Sequence, residues 1–162
     1  FFQINRPCMT CHPVEEAKLR ERVLHIQKTT VKGLRLAEGA ILALIEDIEN
    51  AKRLILAKYN VSENAPSEEQ EKVLAAPLEK ARLMHRKASL RWDFIYSENS
   101  TGFHSPQEAM RILAQAVDYA RKGQLEVQRA LKNHGLLLES VIGQGKIPPP
   151  PAPIAPGAAR PA

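Results

Sequence analysis

The stretch GLRLAEGAILALIEDIENAKRLIL, residues 33–56, decides the fold. Within it and up to its edge, Leu34, Ala37, Ile41, Leu44, Ile48, Ala51 and Ile55 alternate three and four residues apart. That is an a/d heptad repeat, the pattern of a helix burying one stripe against other helices. Leu42 and Ile45 widen the stripe, so more than one neighbour is expected. Working outward, residues 14–59 contain no proline. They predict one helix of about 46 residues, roughly 69 Å long at 1.5 Å per residue. Such a helix outruns a compact domain of this size. The expectation is therefore that a second copy, or the rest of a larger protein, covers the seam at Ile41, Leu44, Ile48 and Ile55.

The remaining elements are helical too. Ser67 opens a second helix with a Ser-x-x-Gln capping box ending at Gln70. Pro77 falls inside the pattern and predicts a kink or a fresh start. Beyond it, Leu78, Ala81, His85, Ala88, Trp92 and Ile95 again step three and four apart, to about Ser97. Glu98 to His104 is a polar loop containing Gly102. Ser105, Pro106 and Glu108 then stand at N-cap, N1 and N3 of a third helix. This helix should bury Ala109, Leu113, Ala116, Ala120, Val127 and Leu131, fading near Gly135, with a short tail helix to Val141. From Gly143 the chain is Gly/Pro/Ala-rich, with Pro148 to Pro151 in a row, and is expected to be extended or disordered. The organisation is thus an irregular segment 1–13, a long-helix domain 14–142 with helices over 14–59, 67–97 and 105–134, and a tail 143–162. The fold class is all-α, with long antiparallel helices.

Composition narrows the function. Hydrophobic residues make up 44% and charged residues 25% of the 162, which argues against bulk disorder. Aromatic residues are only 5%, and the abundance of Leu, Ala, Glu, Lys and Arg favours helix over sheet. No run approaches the ~18 apolar residues of a membrane span. The chain starts at Phe1 with no signal-peptide pattern, and is expected to be a mature segment or a fragment. The 23 basic and 18 acidic side chains give +5, with both signs interspersed along the helices. That reads as a solvated helix surface, so no nucleic-acid partner is expected. There is no Gly-rich phosphate loop and no nucleophile elbow.

Chemistry concentrates at Cys8-Met9-Thr10-Cys11-His12, bracketed by Pro7 and Pro13. These two cysteines are the whole supply, which excludes a disulfide scaffold and leaves a single local site. C-x-x-C-H is the attachment signature of c-type haem. Two thiols add across the two haem vinyl groups, and the intervening pair of residues lets both sulfurs reach one edge of the ring. The adjacent His12 then turns beneath the porphyrin and ligates the iron. A zinc half-site would want two further close Cys or His ligands, and none occurs before His25. A redox Cys-x-x-Cys pair would want a βαβ setting.

A six-coordinate iron needs a second ligand. His25, His85, His104 and His134 are candidates, with Met9, Met84 and Met110 behind them. His25 is close in sequence to His12 and reads as a helix-surface residue. His85 sits on an apolar seam, where a hydrogen-bonded histidine is the usual occupant. His134 precedes Gly135 at a helix end, which C-capping explains. His104 stands in Gly-Phe-His-Ser-Pro, beside the apolar Phe103 and directly before a helix start. It is the favoured iron ligand. The residues alone leave open whether its iron is the one at Cys8 and Cys11 or another.

Several runs resemble a known family. Cys8 to His12, followed by Arg22-Val23-Leu24-His25-Ile26-Gln27, resembles the last haem motif of the ammonia-forming cytochrome c nitrite reductases. His85-Arg86-Lys87-Ala88, Arg91-Trp92-Asp93-Phe94 and the run from Ser97 through Gly102-Phe103-His104-Ser105-Pro106 to Ala109 resemble their C-terminal helical region. The resemblance spans about residues 6–125 and leaves out the Pro-rich tail. It implies a periplasmic pentahaem enzyme that reduces nitrite to ammonia with six electrons and dimerises through long C-terminal helices. It implies haem c on Cys8, Cys11 and His12, and His104 as distal ligand of a different haem attached upstream. The catalytic haem, its substrate residues and a calcium site would lie upstream of Phe1, so this segment alone should not reduce nitrite. The partners implied are the remainder of the enzyme, a second copy, and a periplasmic or membrane-anchored electron donor. The alternative is a small self-contained c-type cytochrome for electron transfer. A helical scaffold with a zinc-bound motif is the third reading.

Overall fold

The computed structural model describes residues 8–61, 67, 68, 70 and 76–137. The expected tail helix to Val141, the tail from Gly143 and the first seven residues lie outside them. Helix α1 spans Glu16–Lys58, a 3-10 turn covers Ala76–Leu78, α2 spans Glu79–Ser97 and α3 spans Pro106–Asn133. No strand occurs among the described residues. None of the helices is long and apolar enough to cross a membrane.

Local chemistry sets the breaks. Ser67 and Gln70 form the expected capping box: the Ser67 N–H donates to Gln70 Oε1 at 2.9 Å, and the Gln70 N–H donates to Ser67 Oγ at 3.3 Å. Pro77 cannot donate to a helical ladder and sits in the 3-10 turn from which α2 restarts. At the end of α3, Gly135 adopts φ 62°, the left-handed region glycine enters freely. The Leu136 N–H then reaches Leu131 O and the Gly135 N–H reaches Lys132 O, closing a Schellman motif.

The three helices run up, down, up. Trp92 Nε1 donates to Leu34 O at 3.0 Å, fixing α2 antiparallel to α1. Arg91 Nε donates to Gln115 Oε1 at 3.0 Å, fixing α3 antiparallel to α2. α1 and α3 consequently lie parallel, with Gln124 Nε2 donating to the buried Asp47 carboxylate at 2.6 Å. Leu78 in the 3-10 turn and Ala81, Ala88 and Ile95 along α2 are buried, while His85 and Trp92 are partly covered. All six apolar residues expected along α3 are buried.

The seam of α1 corrects one expectation. Leu34, Ala37, Ile41, Leu44, Ile48, Ala51 and Ile55 are all buried within the single chain. No second copy is needed to cover them. α3 runs alongside α1 from the level of Gly33 to its last turn, so its 28 residues match the seam in length. Ala40, Ala51, Ala81, Ala88 and Ala120 belong to one core cluster, and small side chains let the helices approach closely. Leu42 and Ile45, expected to widen the stripe, face solvent.

Candidate haem-attachment site

Cys8 to His12 form one helical turn ahead of α1. The Cys8 carbonyl accepts the Cys11 N–H at 3.2 Å and the His12 N–H at 2.9 Å. Residues three apart on such a turn share a face, so the two thiols are presented together. Both cysteines are free; Cys8 is half-buried and Cys11 exposed. Pro13 stops the turn, the Val14 N–H bonds to His12 O at 2.7 Å, and the His12 side chain stands exposed. Covalent haem attachment requires two unpaired thiols on one side and an imidazole outside the fold's packing. These three residues meet that requirement. Among the described residues no three His, Cys, Asp or Glu side chains converge to hold a bare metal ion.

His104 lies at the same end of the bundle but on a different element. It is exposed, in the loop between α2 and α3. That loop meets α1 at Gln27, whose Nε2 donates to Ser100 O at 3.1 Å. It also meets Thr30, against which Gly102 packs so closely that a Cβ there would overlap the hydroxyl. Gln27 lies eleven residues beyond the start of α1 at Glu16. The His104 loop therefore meets α1 roughly 17 Å along its axis from its first residue, whereas the Cys8–His12 turn precedes that residue.

The loop is held by Glu98, which the sequence placed only at the start of a polar loop. One carboxylate oxygen accepts the Ser100 N–H at 2.7 Å and the other accepts the Gly102 N–H at 2.9 Å. The Ser100 hydroxyl in turn accepts the His104 N–H at 3.3 Å. Burial pushes the Glu98 carboxyl upward, but the Gly102 and Ser100 donors and the nearby His104 hold it below the usual carboxylate range. A sequence signal existed: an acidic residue two and four positions before a Ser and a Gly can bracket a turn.

The Ser105 start of α3 differs from expectation. Pro106 occupies the first turn as expected, yet the Ser105 side chain makes no capping hydrogen bond. Glu108 is taken instead by Arg111, whose Nε donates to its Oε2 at 2.7 Å.

The other histidines have local partners or none of the required setting. His85 Nε2 meets Ser89 Oγ at 3.3 Å. His134 caps α3, with Nδ1 at 3.0 Å from the Tyr59 hydroxyl and its carbonyl bonded by Lys58 Nζ. His25 is exposed on α1. Met110 and Met84 border Gly33 and Gly123 and act as packing.

The cytochrome c552 family profile matches residues 1–148, which include both the Cys8–His12 turn and the His104 loop. The chain belongs to the cytochrome c552 family. The cytochrome c-552 of Bacteroides thetaiotaomicron is 33% identical over 132 residues, covering 82% of this chain and 23% of that protein. The cytochrome c-552 of Porphyromonas gingivalis is 27% identical over 132 residues, with the same coverage. The cytochrome c nitrite reductase subunit NrfA of Nitratidesulfovibrio vulgaris is 30% identical over 118 residues, covering 72% of this chain and 20% of that subunit. The chain thus spans about a quarter or less of the length of these curated relatives. Membership of a cytochrome c family makes the bound group a covalent haem c, and Cys8, Cys11 and His12 have the free thiols and exposed imidazole it requires.

Proposed function

We propose that this chain is the C-terminal part of a multihaem cytochrome c nitrite reductase, which converts nitrite to ammonia with six electrons. The observation that carries the reading is a turn with two unpaired thiols and an exposed imidazole in a chain related to a nitrite reductase subunit. Cys8 and Cys11 would hold haem c through two thioether links, and His12 would ligate its iron. Haem c bound there supplies one-electron relay. His104 is the distal ligand of a different haem, a role supported by the offset between its loop and the Cys8–His12 turn. The catalytic haem and a calcium site belong to the part of the enzyme this chain does not span, so the segment alone is inactive. The enzyme works in the periplasm, takes electrons from a periplasmic or membrane-anchored donor, and dimerises through outward faces of its long helices.

His104→Ala in the haem-loaded full-length enzyme tests the reading. One relay iron should become high-spin or take up an exogenous ligand, and nitrite turnover should fall. In the isolated chain the Cys8/Cys11 haem should lack its distal ligand, and added imidazole should convert it to a bis-nitrogen spectrum. An isolated chain already in the bis-His state, and losing it on His104→Ala, would instead establish a self-contained cytochrome.

A further inference from the structure

We infer that Glu98 is the positioning residue for His104, fixing through Ser100 and Gly102 the loop from which the imidazole leaves the fold. The inference rests on the proposed role of His104 as an iron ligand and adds what aims it.

The start of α3 does not do this alone, because Ser105 offers no side-chain cap to anchor the residue before it. The anchoring comes from the α2 side. Glu98 stands just past the last residue of α2, with ψ 128° turning the chain outward. The loop then takes a conformation that side chains resist: Thr101 has φ 54° and Gly102 has φ 77°. Such a turn persists only when its surroundings over-determine it. Glu98 supplies that by bracketing it, one oxygen on the Ser100 N–H and one on the Gly102 N–H. Hydrogen bonds to an ionised acceptor are the strong ones. Ser100 passes the constraint on, its hydroxyl accepting from the His104 backbone while its carbonyl is tied by Gln27 to α1. Phe103 lies beside the imidazole with ring centroids 5.2 Å apart. A short path of named bonds therefore leads from α1 and α2 to His104, and Glu98 is its charged member.

An exogenous ligand can reach the iron only when His104 has left it, so its apparent affinity scales with the open fraction. Glu98→Gln keeps the size of the side chain but replaces one acceptor oxygen by a donor facing an N–H. In the haem-loaded full-length protein, cyanide titration should show that the haem opened by His104→Ala binds about tenfold more tightly in Glu98→Gln than in wild type. In the His104→Ala background, Glu98→Gln should change nothing further. Ser100→Ala, which removes the hydroxyl that joins the His104 N–H to the Glu98 carboxylate, should move the affinity in the same direction and serves if Glu98→Gln folds poorly. Wild-type cyanide binding in both single variants overturns the inference while leaving His104 as ligand. So does an equal effect of Glu98→Gln with and without His104, the mark of general loosening. If His104→Ala opens no haem at all, the ligand role itself fails, a distinguishable result.

Discussion

At the residue scale, the five positions from Cys8 to His12 carry the proposed haem attachment. One helical turn aligns two thiols, and the proline after it keeps the imidazole out of α1. The C-x-x-C-H pattern is a property of spacing, which is why the proposed attachment is legible without a structure. Expression with periplasmic export and haem-maturation machinery should give one haem's mass on this chain, surviving denaturation. Cys11→Ser should leave at most a single thioether at Cys8, and an apoprotein mass for the parent chain under those conditions would remove the haem assignment. Glu98 was not legible in the same way. A lone carboxylate at the end of a helix is usually a solvated charge, and its role depends on the backbone curling back onto it.

At the element scale, glycines on helices separate propensity from packing. Gly39 on α1 and Gly123 on α3 both weaken an isolated helix relative to alanine. A Cβ at Gly39 meets nothing within 4 Å, whereas one at Gly123 would sit 2.5 Å from Leu44 Cδ2 and 3.2 Å from Met84 Cβ. Leu44 is fully buried and has nowhere to retreat. Gly39→Ala should therefore stabilise by about 0.5–1 kcal/mol. Gly123→Ala should destabilise by about 1 kcal/mol, because overpacking of about 1–3 kcal/mol outweighs the propensity gain. Urea midpoints of the two variants should move in opposite directions, and a common direction would mean that helix propensity rather than close approach governs α3. The heptad pattern showed that α1 buries a seam. It carried no information about which helices come near enough to need a glycine.

At the scale of the whole molecule, the main revision concerns who covers that seam. The length of α1 argued for an external partner, but α2 and α3 fold back along it and bury Ile41, Leu44, Ile48 and Ile55 internally. Ile48→Asp then places an unpaired carboxylate in the chain's own core, at a cost of several kcal/mol. The expected outcome is loss of cooperative folding by circular dichroism in the isolated chain, rather than a clean shift from dimer to monomer. A well-folded Ile48→Asp chain would show that the seam is covered from outside after all. The proposed dimer must then use outward faces. On α2, Leu83, Leu90 and Phe94 are exposed and spaced seven and four apart.

The sequence by itself determined the helical class, the apolar seams, the restart near Pro77 and the C-x-x-C-H spacing on which the proposed haem attachment rests. Each of these is written in local spacing: 3.5-residue periodicity, a proline's missing donor, two cysteines three apart. Only the tertiary structure decided that the seam of α1 is spent inside the chain. It also decided that Ser105 leaves its helix uncapped and that Glu98, not the helix start, holds the His104 loop. Those outcomes depend on groups distant in sequence competing for the same partner, as when Arg111 takes Glu108 and Gln27 ties down Ser100 from α1. Spacing along one strand of sequence cannot rank such competitors, because their energies depend on which groups the fold brings within a hydrogen bond's reach.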